Sequence, residues 1–300
     1  MKKYFIVTAI LLLMLSIPTP SKAVEFDADV AYSYLLTQCA FGPRNPGSEG
    51  YAECLDWFIE HLEQLSCEVY RHRFTATEAL TGKQHNMTNI IARFEGTSDV
   101  PALALCAHWD TRAHADLDPD PANRETPISG ANDGASGVAV LLEIARLASE
   151  NPPPRPLLII LFDGEDMGRS THAEEFALGS KAWAQDMIPE KPSQAILLDM
   201  IGDSDLELAK ELFSMANCEG FQDYLWSLAD ELGLDTFKDE PGPAVSDDHV
   251  PLIAKGIEAI DIIDFEYPYW HTLEDTPDKC SPESLSQTGR LITAFIWGIE

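Results

Sequence analysis

The sequence predicts an α/β fold: a single domain whose central, mostly parallel mixed β-sheet is flanked by helices on both faces. Three observations carry that expectation. Apolar runs of strand length recur along the chain, as at 102–107, 157–162 and 257–263. From residue 134 onward such runs alternate with segments of helical period, the order that builds parallel strands joined by crossover helices. No Gly/Ser-rich linker, internal repeat or low-complexity tract divides the 300 residues, so one large core suits the length.

Taken in order, residues 1–23 read as a secretory signal peptide. Met1-Lys2-Lys3 precedes an apolar run at 4–17, and Ser21-Lys22-Ala23 places small residues three and one before a cut. The run is shorter than the roughly 20 residues that span a bilayer, and no cysteine follows closely enough to take a lipid. The expected mature chain, 24–300, is therefore exported, periplasmic or secreted, without stable membrane insertion. Segments 27–39 and 50–65 read as helices; the second carries Tyr51, Leu55, Phe58, Ile59, Leu62 and Leu65 at helical spacing. Strands at 67–74 and 87–94 are expected to pair across the loop near Gly82, followed by a strand at 102–107. Then come helix 134–149, strand 157–162, helix 179–187, strand 194–198, helix 220–232 and strand 257–263. A closing helix at 282–299 has Pro282 near its start, where the missing N–H does no harm.

Acids outnumber bases 50 to 20, giving a formal charge of -30. Removal of Lys2, Lys3 and Lys22 with residues 1–23 would take this three lower, to -33. The charge is spread along the chain, which excludes a nucleic-acid binder and disfavours anionic membranes. Six cysteines follow residue 23, at 39, 54, 67, 106, 218 and 280. An oxidising compartment permits disulfides among them, their spacing is not that of a zinc ribbon, and the apolar strand around Cys106 favours a buried structural thiol over a nucleophile.

The chemistry concentrates at strand ends. Strand 157–162 closes on Asp163, Glu165 and Asp166. A carboxylate is costly to desolvate unless it is paired, hydrogen-bonded or bound to a cation, so these acids are either a catalytic base beside a metal ligand or a solvated turn. Open α/β sheets bind ligands at the carboxyl ends of their strands. There the sequence also places His108 and Asp110, Asp133, Asp199, the Asp247-Asp248-His249 segment, and Trp270-His271. Imidazole and carboxylate donors without thiolate suit a catalytic Zn²⁺ that keeps an open position. Each residue also has a plainer reading: Asp133 as a helix cap, Asp199 bonded to nearby backbone, Asp247 and Asp248 on a solvated loop, His271 at the surface, Trp270 as packing.

Taken together, His108-Trp-Asp110, Ala131-Asn-Asp-Gly-Ala-Ser-Gly137, Phe162-Asp-Gly-Glu-Asp166, Leu197-Leu-Asp-Met-Ile-Gly202 and His271-Thr-Leu-Glu-Asp-Thr276 resemble the zinc-dependent exopeptidase superfamily. Asp247-Asp-His-Val-Pro251 and Trp270 are similar, within it, to the glutaminyl cyclases, in particular the bacterial, animal-type group. The likeness runs from about Phe41 to the C-terminus. It implies a zinc exopeptidase-like fold and conversion of N-terminal Gln of peptides or proteins to pyroglutamate with release of ammonia. It further implies Asp133, Asp166 and His271 as ligands of one zinc, and Glu165 as general acid/base. Asp199 and Asp247 would form a supporting acidic network, Trp270 a wall of the substrate pocket, and His108 a possible ligand of a second metal. A zinc aminopeptidase and an inactive binding homologue remain open alternatives. The sequence departs from the animal cyclases in two places: Asp166 stands where they have Glu, and loop 169–176 lacks their tryptophan.

Overall fold

The computed structural model describes residues 23–169 and 172–298; apart from Ala23, the segment read as a signal peptide lies outside them. Two helices, α1 (Ala28–Ala40) and α2 (Glu49–Glu63), lead into the hairpin β1 (Glu68–Thr77) and β2 (Gln84–Phe94). Then follow β3 (Leu103–His108), α3 (Ala135–Glu150), β4 (Leu157–Phe162), α4 (Leu178–Asp186), β5 (Gln194–Asp199) and β6 (Leu208–Lys210). The rest is α5 (Leu212–Glu231), β7 (Phe237–Pro241), α6 (His249–Ile253), β8 (Glu258–Ile263) and α7 (Pro282–Trp297).

A six-stranded sheet has the order β1-β2-β4-β3-β5-β8. β2 runs antiparallel to β1 and β4, whereas β4, β3, β5 and β8 are mutually parallel. Register aligns the parallel strand ends: His108 lies opposite Phe162, and Asp199 opposite Ile263. The side-chain period of two then divides the core. Leu105, Ala107, Ile159, Leu161, Ile196, Leu198 and Ile260 pack with α1, α2, α3, α5 and α7. On the other face, Ala104, Cys106, Ile160, Phe162 and Leu197 pack with Trp183 of α4 and Leu252 of α6. Helix α3 rides directly on β5, since a Cβ at Gly137 would stand 2.2 Å from the Leu198 carbonyl oxygen.

The expected elements are present, with most ends displaced by a few residues, and the sheet is mixed and largely parallel as the alternation predicts. Three features differ. Helix α5 begins at Leu212 rather than near Gly220, because the Glu211 side chain accepts the Phe213 and Ser214 amides and caps a first helical piece, joined to the second at the non-helical Cys218. A two-stranded sheet pairs β6 with β7, segments too short and polar to declare themselves by alternation. His249, expected in a loop, opens the short helix α6. All six cysteines are free thiols. Cys106 is buried in β3, and burial pushes its thiol well above the ordinary range, which fits a structural role. No helix among the described residues is long and apolar enough to cross a membrane.

The close approach of α3 to β5 predicts that Gly137→Ala destabilises the protein by about 1–3 kcal/mol, the usual cost of overpacking. The midpoint of chemical denaturation measures it.

Candidate metal centre

His108 ends β3, Asp199 ends β5, and Glu165 and Asp166 sit on the loop leaving β4. Asp133 precedes α3, Asp247 precedes α6, and Trp270-His271 lie in the loop after β8. Fold topology brings these segments to one end of the sheet. Asp133, Glu165, Asp166, Asp199, Asp247, Trp270 and His271 all line one cavity of about 290 Å³, completed mainly by the apolar Phe176, Met200, Val245, Ile263 and Phe265. His108 stands against its floor, with Nε2 3.1 Å from Asp133 Oδ1 and 3.2 Å from Asp199 Oδ1.

Two groups of donors are close enough to share an ion. Asp133, Asp166 and His271 offer atoms within 4.8 Å of one another, as do His108, Asp133 and Asp199, so Asp133 belongs to both. His271 Nε2 lies 3.4 Å from Asp166 Oδ1 and 3.7 Å from Asp133 Oδ2. The plainer readings of Asp133, Asp199, Asp247 and His271 do not fit this geometry, whereas Trp270 does pack, its ring centroid 4.9 Å from that of Phe265. Asp133 caps nothing, because Gly134 occupies the cap position of α3 without a side-chain bond. Asp199 faces His108, while Asp247 and His271 are only 3% and 5% exposed.

A second set of acids holds these residues in place. The Asp110 carboxylate accepts the amides of Glu165 and Asp166 at 3.0 and 3.3 Å. Asp275 accepts the amides of Asn132 and Asp133, and the Tyr267 hydroxyl at 2.9 Å. Asp163 turns away from the cavity to accept the Tyr51 hydroxyl and the Thr88 amide. Gly164, with φ of +71°, makes the turn that separates its direction from that of Glu165. Glu211 accepts the Val245 amide at 3.0 Å and lies 3.3 Å from His249 Nε2, fixing the segment before Asp247.

Sequence reasoning did not single out Asp275, Glu211, Asp261, Arg112 or Asp116 as parts of this assembly. Asp261 carried a signal, being an acid between the apolar residues Ile260 and Ile262 of strand β8, where it is fully buried and 3.7 Å from His249 Nδ1. Asp275 lies within the segment His271–Thr276 that had drawn notice, but nothing in its spacing shows that it clamps a loop 142 residues away. Phe176, within the loop that lacks tryptophan, supplies part of the cavity wall instead.

The protein alone supplies too little positive charge for this much acid. Burial pushes the Asp133, Asp199 and Asp247 carboxyls up, and Glu165 well up, with neighbouring Asp247 adding to the rise at Glu165. Asp275 is driven to about 7 by burial and by Asp133. Asp166 goes the other way: burial raises it, but Arg112 and His271 outweigh that and hold it at about 2. Burial lowers His108, yet its contacts with Asp110, Asp133 and Asp199 carry it well above the usual imidazole value. Asp133 Oδ2 and Asp166 Oδ2 are buried without a hydrogen-bond partner. A divalent cation bound by carboxylate and imidazole would satisfy the unpartnered oxygens of Asp133 and Asp166 and offset the surrounding negative charge, and the donor set fits Zn²⁺.

Comparison with known proteins agrees with that chemistry. A model of peptidase family M28 matches residues 89–296. The fold superposes with a TM-score of 0.87 on the crystal structure of Bacteroides thetaiotaomicron glutaminyl cyclase bound to N-acetylhistamine, at 35% identity over 93% of this chain and 100% of that one. The Bos taurus glutaminyl-peptide cyclotransferase is 23% identical over 84% of this chain and 77% of its own length. The Bacillus subtilis aminopeptidase YwaD is 31% identical over 56% of this chain, which spans 37% of that enzyme.

A carboxyl raised on folding favours the folded state most below its unfolded pKa, and that contribution is lost as pH rises through the folded value. The raised acids and His108 act together in this sense, while Asp166 contributes oppositely only in strong acid. Chelator-treated protein is therefore expected to melt at a lower temperature at about pH 8 than at about pH 5. Adding zinc at the higher pH should restore the loss, as read by thermal denaturation.

Proposed function

The chain belongs to peptidase family M28, and within that family we propose a zinc-dependent glutaminyl-peptide cyclotransferase that converts N-terminal Gln of peptides or proteins to pyroglutamate and ammonia. The observation that carries this reading is the cavity itself. It is small, walled by Trp270, Phe265, Ile263, Val245 and Phe176, and floored by Glu165, Asp247 and the donor group Asp133, Asp166 and His271. Such a space suits one side chain folded back on its own amine. The similarity along the full length of a bacterial cyclase supports the same choice. Export rests on the sequence of residues 1–23.

In the proposed reaction Asp133, Asp166 and His271 hold one zinc. Once bound, the ion supplies Lewis-acid charge that favours negative charge on the γ-amide oxygen. Glu165 takes a proton from the α-amine as its nitrogen bonds to the carbonyl carbon of the side-chain amide, then delivers that proton to the amide nitrogen as its bond to that carbon breaks and it leaves as ammonia. Its raised pKa suits a group that must both accept and return a proton. Asp247 raises it further and, with Asp199, forms the acidic network around the reacting centre. Trp270, stacked against His271 with ring centroids 3.9 Å apart, and the other apolar walls keep the side chain bent and bulk water out. No water is consumed.

One observation favours a second reading. Because Asp133 belongs to both donor groups, the site has room for two ions with His108 and Asp199, which suits hydrolysis by an aminopeptidase. Mass spectrometry separates the two. A Gln-led peptide should lose the mass of one ammonia without cleavage, while a Leu-led peptide should remain intact; release of free leucine would select the aminopeptidase. Metal analysis is expected to give one zinc per chain.

Variants divide the roles. Glu165→Gln is expected to retain zinc and lose activity by about 10²–10⁴-fold, whereas His271→Ala should lose the metal. Full turnover by Glu165→Gln would remove that residue from proton transfer. Asp247→Asn should lower kcat while leaving zinc content unchanged, as read by steady-state kinetics beside metal analysis.

A further inference from the structure

A guanidinium is built into the wall of the metal centre. Arg112, in the segment after β3, is 2% exposed. Its Nε and Nη2 donate to the two oxygens of Asp116 at 2.7 and 2.9 Å, while Nη1 donates to Asp166 Oδ1 at 2.6 Å. Its carbon lies 5.4 Å from the centroid of the Phe176 ring. Asp116 in turn lies 3.5 Å from His271 Nδ1. The pair therefore touches two of the three residues in the donor group Asp133, Asp166 and His271.

This arrangement differs from that of the other deeply buried arginine in the neighbourhood. Arg44 spends its guanidinium on the backbone carbonyls of Trp109, Ser129 and Gly130, where it shapes a loop. Arg112 spends all its bonds on carboxylates of the site. Burying a guanidinium is tolerable only where a matched fork of acceptors replaces water, and here one of those acceptors is a metal donor.

We infer that Arg112 is a positioning residue for the metal, acting with Asp116 to fix the Asp166 carboxylate and the His271 imidazole; the inference rests on the zinc reading above. Arg112 occupies Oδ1 of Asp166 and leaves Oδ2 buried and without a partner. Asp116 faces Nδ1 of His271, which turns Nε2 toward Asp133 and Asp166. Partners behind metal ligands select tautomer and ring orientation in this way. A lysine would keep the charge, but a point ammonium cannot hold Asp116 through two bonds and Asp166 through a third in one plane.

The test uses the whole chain as wild type, Arg112→Lys and Asp116→Asn. Zinc dissociation constants come from chelator competition, the ligand field from the absorption spectrum of cobalt-loaded protein, and folding from melting of the metal-free forms. Both variants are expected to bind zinc about 10–100-fold more weakly and to shift the cobalt bands, with metal-free melting close to wild type. Unchanged or tighter zinc binding with an unchanged cobalt spectrum in folded Arg112→Lys overturns the inference. Should that variant fail to fold, the same readings on Asp116→Asn decide it. A wild-type chain that binds no zinc overturns the zinc reading and this inference together; a zinc-binding wild type with indifferent variants overturns the inference alone.

Discussion

Negative charge buried beyond what the protein can neutralise governs the carboxyl end of this sheet. The acids there differ in what their oxygens accept, and Asp163 combines both conditions, with Oδ2 bonded and Oδ1 buried without a partner. Asp110, Asp163, Asp275 and Glu211 receive backbone amides or hydroxyls and act as anchors. Asp133 and Asp166 each keep a buried oxygen without a partner, and Asp199 meets the imidazole of His108. Each anchored acid lowers the freedom of a loop that carries an unsatisfied one. The charge left over is thereby held in a fixed place, which is the condition for a metal centre that does not have to reorganise on binding.

That division explains what was legible in the sequence. Alternation of apolar runs and helical segments carried the sheet, because strand and helix periods are local properties. Which loops meet was also legible, since parallel strands deliver their carboxyl ends to one edge. Which acid does what was not. Asp163, Glu165 and Asp166 are neighbours, yet Asp163 belongs to the scaffold because Tyr51 and Thr88, 112 and 75 residues away, reach its carboxylate. Arg112 was missed for the same reason, its meaning residing in Asp166, 54 residues downstream. The early start of α5 was hidden because a buried glutamate served as the cap, where serine, threonine, asparagine or aspartate is the usual signal.

His271 shows how the scaffold sustains a cost at the site. Its φ of +56° lies in the left-handed region, which a residue other than glycine adopts at a cost of order 1–3 kcal/mol. The surroundings hold it there. Its carbonyl accepts the Leu117 amide at 3.2 Å, and Asp118 accepts the Leu273 amide two residues on at 3.1 Å. Thr272 donates its amide and its hydroxyl to the Tyr269 carbonyl. The conformation turns the imidazole toward Asp133 and Asp166 while setting Trp270 against it, so one strained residue serves both the donor group and the cavity wall.

The same economy extends around the cavity, where apolar walls and charged floor share their supports. Trp270 stacks on His271; Phe176 lies against the guanidinium that bonds Asp166; Val245 is tied through Glu211 to the segment leading to Asp247. A displacement of Trp270, Phe176 or Val245 is therefore felt by a proposed metal donor or by the loop carrying an acid of the proposed network. Cyclisation asks for this coupling more than hydrolysis does. Hydrolysis needs a positioned water and tolerates an open mouth, whereas closing a ring within one residue depends on walls that fold the side chain while the floor orients its amide. Shape and charge set by the same bonds suit the proposed cyclisation.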